Sequence, residues 1–387
     1  MVKGGEAMWK YRIMMTMLFT VFIFFSGLCL HDQKQLVDKV SFYAVGDNLI
    51  HPVVYQDALQ VDGNFDFKPM YEYLEKDIES ADISYINQES PIGGDEKGFS
   101  GFKQFNTPTD IADDIVDVGF DIVNGSNNHT LDQGTDGLRN EINLWKQFDD
   151  ILYTGAFNSQ KARDHIPVVE RNGIKVAILS YTYGTNDISP EKPYHINYFD
   201  EAQIKEDVAK AKTQSDAVIV SAHWGSEGKH EPTRKQNKYA EVFANAGVDV
   251  VIGTHPHVIQ PIEWVKGKDN HKTLVAYSLG NFLNGQSTGD ESNVLGGNIR
   301  FNIEKLPKGV TIKNVKWQSL ITHYEIANPL DDNTRHSFKM YPLKRYDDKL
   351  AKRHALSYDH ENDVTKQHLE TITKDVIDKQ YLTPDSY

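Results

Sequence analysis

One cysteine, Cys29, is present in 387 residues, so no disulfide can close within the chain and a thiolate-built metal site is not expected. Any metal bound here must take nitrogen and oxygen ligands. The lack of disulfides assigns no compartment, because they are optional even where conditions are oxidising. Basic charge is also scarce: 41 Lys and Arg against 55 Asp and Glu leave a formal net charge of −14. No basic stripe runs between Lys34 and Tyr387, which argues against a nucleic-acid surface. An anionic substrate would have to be held locally, by a metal or by a few Arg and Lys side chains. Internal repeats and low-complexity blocks are missing as well.

Hydrophobic residues make up 39% of the chain and aromatics 11%, enough for a sizeable core, and the length suits one large domain or two ordinary ones. One apolar run stands out, Ile13 to Leu30, near the lower length limit for a spanning helix. Lys3, Lys10 and Arg12 precede it, and positive charge before a span keeps the N-terminus in the cytoplasm and sends the rest outside. Cleavage as a signal peptide would want small residues at the cut, which Ser26, Gly27 and Cys29 supply only in part. A lipidated Cys29 would want a small residue where Leu28 stands. The expectation is an uncleaved single-pass anchor, with residues 1–12 cytoplasmic, 13–30 transmembrane and 31–39 a polar linker.

From residue 40 to about 330, strand-like apolar runs alternate with amphipathic helical patterns, the mark of an α/β domain. VSFYAVG (40–46), DISYIN (82–87), DIVNG (121–125), ILYTG (151–155), KVAILSYTY (175–183), DAVIVSAHWG (216–225) and DVVIGTHPH (249–257) read as strands, several running into loops. Helices are expected at 69–80, from Thr107 as N-cap with Pro108 in the first turn, and at 235–246. Later segments, among them TLVAYSLGN and GNIRFNI, are strands without long helices. Residues 331–387 turn highly charged, and 347–379 is expected to be a solvated helical appendage.

Polar residues able to ligate metals sit at the C-terminal ends of successive strands, where open α/β sheets place their sites. They are Asp47 and His51 in GDNLIH, Glu89 in NQES, Asn128 and His129 in SNNHT, His223 in SAHWG, and His255 with His257 in GTHPH. Imidazole and carboxylate suit Zn, Mn, Fe or Ni, and a bridging carboxylate lets two divalent ions share a substrate and a water. A lone strand-end histidine is more often structural than a ligand. Two imidazoles flanking a proline after a buried strand are harder to explain that way, and five such places in register point to a metal centre. His230 and Asn281 are secondary candidates for substrate contact or loop closure, with a surface histidine and a turn-capping asparagine as the plainer readings. The run Tyr181 to Tyr183 is read as strand core.

GDNLIH, INQESPIGG, FNTP, NGSNNHTLDQG, SAHWG, GTHPHVIQP and YSLGNF, in that order, resemble the CapA-type poly-γ-glutamate capsule biosynthesis family over about Val40 to Phe282. More broadly the set is similar to the calcineurin-like metallophosphoesterase signature. The resemblance implies an αββα sandwich of two mixed sheets flanked by helices, and two divalent ions, Mn, Zn or Fe. It implies Asp47 and His257 on one ion, Glu89 as bridge, and Asn128, His223 and His255 on the other. His129 would be the acid or transition-state stabiliser, oriented by Asp132. Asp47 and His51 stand four apart where the phosphoesterase pattern has two, so His51 is placed outside the direct ligands; Glu89 replaces the usual bridging aspartate. The function implied is an extracellular, membrane-anchored component of poly-γ-glutamate capsule synthesis or export. A secreted metal-dependent phosphoesterase and a non-catalytic assembly subunit are the alternatives. Without a Walker A sequence the chain is not expected to activate glutamate with ATP, so a cytoplasmic ligase and membrane subunits are the expected partners alongside the polymer.

Overall fold

The structure is a computed structural model that describes residues 38–286, 290–358 and 362–387. The expected cytoplasmic, transmembrane and linker segments through residue 37 lie outside the described residues. Among the described residues no helix is long and apolar enough to cross a membrane.

Strands form where β-branched and aromatic residues run together. They are β1 Lys39–Leu49, β2 Ile83–Gln88, β3 Ile122–Asn124, β4 Leu152–Thr154, β5 Val168–Arg171, β6 Ile174–Thr182 and β7 Ala217–His223, then β8 Val250–Thr254, β9 Ile262–Lys266, β10 Lys272–Ala276, β11 Asn281–Asn284, β12 Leu295–Lys305, β13 Val310–Ile326 and β14 Arg335–Pro342. One sheet has eight strands in the order β14-β13-β12-β1-β2-β3-β4, with β11 also pairing β1; the other has six, in the order β5-β6-β7-β8-β10-β9. Both are mixed. β1 to β4 pair in parallel while β12 to β14 run antiparallel, and parallel β6, β7, β8 and β10 are edged by antiparallel β5 and β9.

Side-chain alternation along β6 shows how the six-stranded sheet is covered. Val176 and Ile178 join Phe42, Ala44 and Ile122 of the other sheet in one core. Ala177, Leu179 and Tyr181 point the other way, to Ile204 and Val208 of helix Glu201–Ala211 and Ala240 and Phe243 of helix Arg234–Ala246. Because every strand residue there meets apolar cover, the sequence reads as a continuous hydrophobic run rather than an alternating one. A 2.6 Å hydrogen bond between the Tyr85 hydroxyl of β2 and Ser221 Oγ of β7 ties the two sheets within this core.

Some local expectations are corrected. The helix expected at 69–80 is two short ones, Lys68–Tyr71 and Glu75–Glu79, separated by a tight turn in which Leu74 N–H bonds to Tyr71 carbonyl at 2.8 Å. Met70, Leu74 and Ile78 are buried all the same. Thr107 caps no helix: its N–H bonds to the Pro91 carbonyl and its hydroxyl lies 3.4 Å from the Ser90 carbonyl, so the next helix begins later, at Asp110. The charged segment after 331 is less solvated than its composition suggests. It adds β14 to the large sheet, and Leu369, Ile377 and Tyr381 enter the main core; residues 39–387 form one compact unit.

Glu141, in helix Gly134–Trp145, is buried, with carboxyl oxygen Oε1 lacking a hydrogen bond. Burial pushes its carboxyl from an ordinary 4.5 up to about 7. An acid whose folded value is raised contributes stability below its unfolded value and loses it as pH rises towards the folded one. Glu141→Gln should therefore gain on the native chain by about 2–3 kcal/mol between pH 4.5 and 7 and level off above, as read by urea unfolding across that range. Parallel pH dependence in the two proteins would contradict this.

Candidate metal centre

The two sheets bring the C-terminal ends of their central parallel strands together. Asp47 lies in β1 itself, Glu89 follows β2, and Asn128 and His129 follow β3; His223 ends β7, and His255 and His257 follow β8. All seven side chains are buried. The large sheet thus supplies two carboxylates, an amide and the imidazole of His129, and the smaller sheet three imidazoles.

Asp47 can reach this position because residue 46 is glycine. A Cβ there would sit 1.9 Å from the Gly280 carbonyl oxygen, so only glycine lets β1 pass the loop before β11. Asp47 N–H then bonds to Gly280 at 3.0 Å. Register aligns Asp47 with Asn87 and Asn87 with Asn124, and their side chains form a ladder. Asn124 Nδ2 donates to Asn87 Oδ1 at 2.7 Å and Asn87 Nδ2 to Asp47 Oδ1 at 2.7 Å. Asp47 Oδ2 accepts the His255 backbone N–H at 3.0 Å. Asparagine is depleted in strands; here it fixes a carboxylate.

His257 Nδ1 lies 3.0 Å from Asn281 Oδ1 and 3.2 Å from Asp47 Oδ2, so Nδ1 carries a proton, and Nε2 faces Glu89 Oε1 3.7 Å away. His223 Nδ1 contacts the Thr254 hydroxyl at 2.9 Å, while its Nε2 meets Asn128 Oδ1 at 2.7 Å and lies 3.6 Å from Glu89 Oε1. Both oxygens of Glu89 and Nδ1 of His255 are buried without any hydrogen bond. An ionised carboxylate left so costs several kcal/mol or gives up its charge. Its carboxyl is indeed pushed well up, by burial first and then by Asp47. Burial and neighbouring imidazoles pull His223 and His255 well down. Burial opposes charge on His257 too, but Glu89 and Asp47 carry it up to about 10.

The backbone is strained at the same place. His255 and His257, on either side of Pro256, have φ of 95° and 58°, a region costly for residues with a Cβ. His255, Glu89 and His257 place one ligand atom each within 4.8 Å of one another, and so do Asp47, Glu89 and His223. Glu89 is common to both groups. Two sets of nitrogen and oxygen donors, with unpartnered atoms between them, fit divalent cations.

Residues 41–286 match the family described as bacterial capsule synthesis protein PGA_cap. The chain belongs to this family. It is 28% identical over 219 residues to the PGA biosynthesis protein CapA of Bacillus subtilis (strain 168), covering 55% of this chain and 56% of that one. It is also 28% identical over 257 residues to the capsule biosynthesis protein CapA of Bacillus anthracis, covering 64% and 60%. The match spans less than two thirds of either relative's length. Among solved structures, the calcineurin-like phosphoesterase YfkN from Bacillus subtilis aligns with 15% identity and a TM-score of 0.44, over 73% of this chain and 90% of that one, too loose a likeness to build on. The PGA_cap match spans every residue of the cluster.

Other sequence candidates are placed around the cluster. His129 stands beside it, with Nδ1 2.7 Å from Asp132 Oδ2. Asn281 meets His257 through Oδ1 and ties the following loop through Nδ2, which donates to Gln286 Oε1 at 2.8 Å and the Asn293 carbonyl at 2.9 Å. His51 bonds through Nδ1 to the Leu49 carbonyl at 3.0 Å, packs edge-on against Phe105, and burial pulls it down to about 3; it is in neither ligand group. His230 is outside them too, tied to the Ile259 carbonyl at 2.8 Å. Sequence reasoning missed Asn87, Thr254 and Asn186, whose roles depend on register and loop packing. Tyr183 departs from the strand-core reading: Tyr181 is core, but Tyr183 is 37% exposed and lies tilted against His255 with ring centroids 4.5 Å apart.

Glu89→Gln removes the buried charge and keeps the shape. The metal-free variant should be more stable in urea than the native chain at pH 8, by about 1–3 kcal/mol, and should lose the stabilisation that added Mn or Zn gives the native chain. A metal-free variant less stable than native would contradict the reading. At position 255 glycine relieves the left-handed backbone, so His255→Gly should unfold about 1 kcal/mol later than His255→Ala. Equal thermal midpoints would show that no strain is stored there.

Proposed function

We propose that this chain is an anchored, extracellular component of poly-γ-glutamate capsule synthesis that acts on the polymer through a two-metal site between its sheets. The observation that carries the reading is the coincidence of the family match over residues 41–286 with a buried carboxylate–imidazole cluster in which both Glu89 oxygens and His255 Nδ1 have no hydrogen bond. The printed names of the two CapA relatives support the capsule assignment, and the apolar run 13–30 with its preceding basic residues supports the anchor.

In this reading Asp47 and His257 would hold one ion and Asn128, His223 and His255 the other, with Glu89 shared; that division follows the family resemblance, while the ligand atoms cluster as Glu89 with His255 and His257 and as Glu89 with Asp47 and His223. Two divalent ions, Mn, Zn or Fe, would polarise a substrate carbonyl and acidify a nearby water. The chain's own groups do the rest. Asn87 and the backbone N–H of His255 hold Asp47 in place. Asp132 accepts the Nδ1 proton of His129 while also taking the Phe105 N–H at 2.8 Å. That leaves His129 Nε2 to give a proton to a departing amide nitrogen or to stabilise charge on the substrate. The cytoplasmic ligase and membrane subunits supply activated glutamate and passage.

The test is complementation of a capsule-forming bacterium lacking its own CapA-type protein. Native chain should restore polymer, and His129→Ala and Glu89→Gln, each checked for membrane abundance, should lower it at least tenfold. Full capsule from both variants would leave a non-catalytic assembly role. Strong turnover of generic phosphate esters by purified metal-loaded protein, abolished by His255→Ala, would instead make it a phosphoesterase.

A further inference from the structure

A cleft of about 950 Å³ lies between two loops and is lined by Lys103, Gln133, Asn186 and Asp187 among others. Both walls are fastened to the histidine segment of the metal centre. One wall is a closed hairpin in which Ser100 and Asn106 exchange backbone hydrogen bonds at 3.1 and 3.0 Å. Its Phe105 N–H bonds to Asp132 Oδ2, the same oxygen that meets His129 Nδ1, and Gln133 Nε2 donates to the Phe105 carbonyl at 2.9 Å. On the other wall, Asn186 Oδ1 accepts from Asn128 Nδ2 at 3.2 Å, and its amide nitrogen lies 3.2 Å from His129 Nδ1. The cleft therefore opens beside the residues that face the cluster, and its dimensions are fixed by them.

Lys103 is exposed near the tip of the hairpin and makes no ion pair among the described residues. It is the cation of a cleft otherwise lined by amides, hydroxyl, apolar groups and one carboxylate, Asp187, in a chain of net charge −14. A lysine ammonium is a mobile point charge suited to a carboxylate that arrives with its own water. The asparagine and glutamine amides match the N–H and C=O of an amide backbone.

Resting on the polymer reading of the metal site, we propose that this cleft is the substrate-reading groove, in which Lys103 takes a free side-chain carboxylate of an amide-linked polyanion next to the bond presented to the cluster. Lys103 is a specificity-determining residue: it selects the charged chain. A rim charge of this kind acts through encounter and salt-sensitive affinity.

Metal-loaded full-length protein in detergent is titrated with fluorescent γ-linked glutamate oligomer at low and high salt, beside the same oligomer with its carboxylates amidated. Lys103→Ala should weaken binding of the acidic oligomer about tenfold at low salt and Lys103→Glu further, with Lys103→Arg restoring most of it. All four proteins should bind the amidated oligomer alike and melt at the same temperature. Native-like, equally salt-sensitive binding of the acidic oligomer by Lys103→Ala and Lys103→Glu would overturn the inference while leaving the polymer reading intact. No binding of either oligomer by the native protein would overturn the polymer reading itself, and the cleft assignment with it.

Discussion

Both oxygens of Glu89 are buried where two sheets meet, and neither has a hydrogen bond; Asp47 on the same sheet and His223 and His257 on the other crowd round them. A buried carboxylate without partners is among the most costly groups a fold can hold. The surrounding structure is arranged to keep it there. β2 is buried along its whole length and ends at Gln88, one residue before Glu89, and His223 and His257 facing that carboxylate are each pinned by a second contact. A bound cation would supply what the interior otherwise withholds from that carboxylate. The shared position of Glu89 in both ligand groups makes it the joint between the halves of the site.

That demand reaches into the fold. Gly46 allows β1 to pass the Gly280 carbonyl, and the Asp47–Asn87–Asn124 ladder replaces apolar residues at the ends of three parallel strands. His255 and His257 accept left-handed backbone around Pro256. Each feature goes against local preference, and strained or ill-suited residues persist where the rest of the structure over-determines them. The smaller sheet, with apolar cover on both faces, and the Tyr85–Ser221 bond supply that rigidity. The hairpin carrying Lys103 and the loop carrying Asn186 are fastened to the same histidine segment.

Much of this was legible in the sequence. β-branched runs gave the parallel strands, because strands covered on both faces need continuous apolar residues. Five of them led into residues with metal-binding atoms, which put Asp47, Glu89, Asn128, His223, His255 and His257 at or just after strand ends. What stayed hidden depends on pairing between distant segments. Nothing local to Asn87 says that it faces Asp47, and Thr254 orients His223 only because β7 and β8 are neighbours. Tyr183 follows two buried residues in sequence, yet leaves the sheet and lies tilted against His255. Thr107 and Pro108 look like a helix start and are instead held by the Ser90–Pro91 loop. Charge misled in the C-terminal segment, where Leu369, Ile377 and Tyr381 are spaced among Lys and Asp and still reach the core.

Anomalous diffraction from crystals of the protein grown with Mn, recorded above and below the metal's absorption edge, addresses the cluster directly. The account predicts two peaks, one beside Asp47 and His257 and one beside Asn128, His223 and His255, with Glu89 oxygens at about 2.0–2.2 Å from both. Peaks that avoid Glu89, or a saturated crystal with no ion among these side chains, would contradict it.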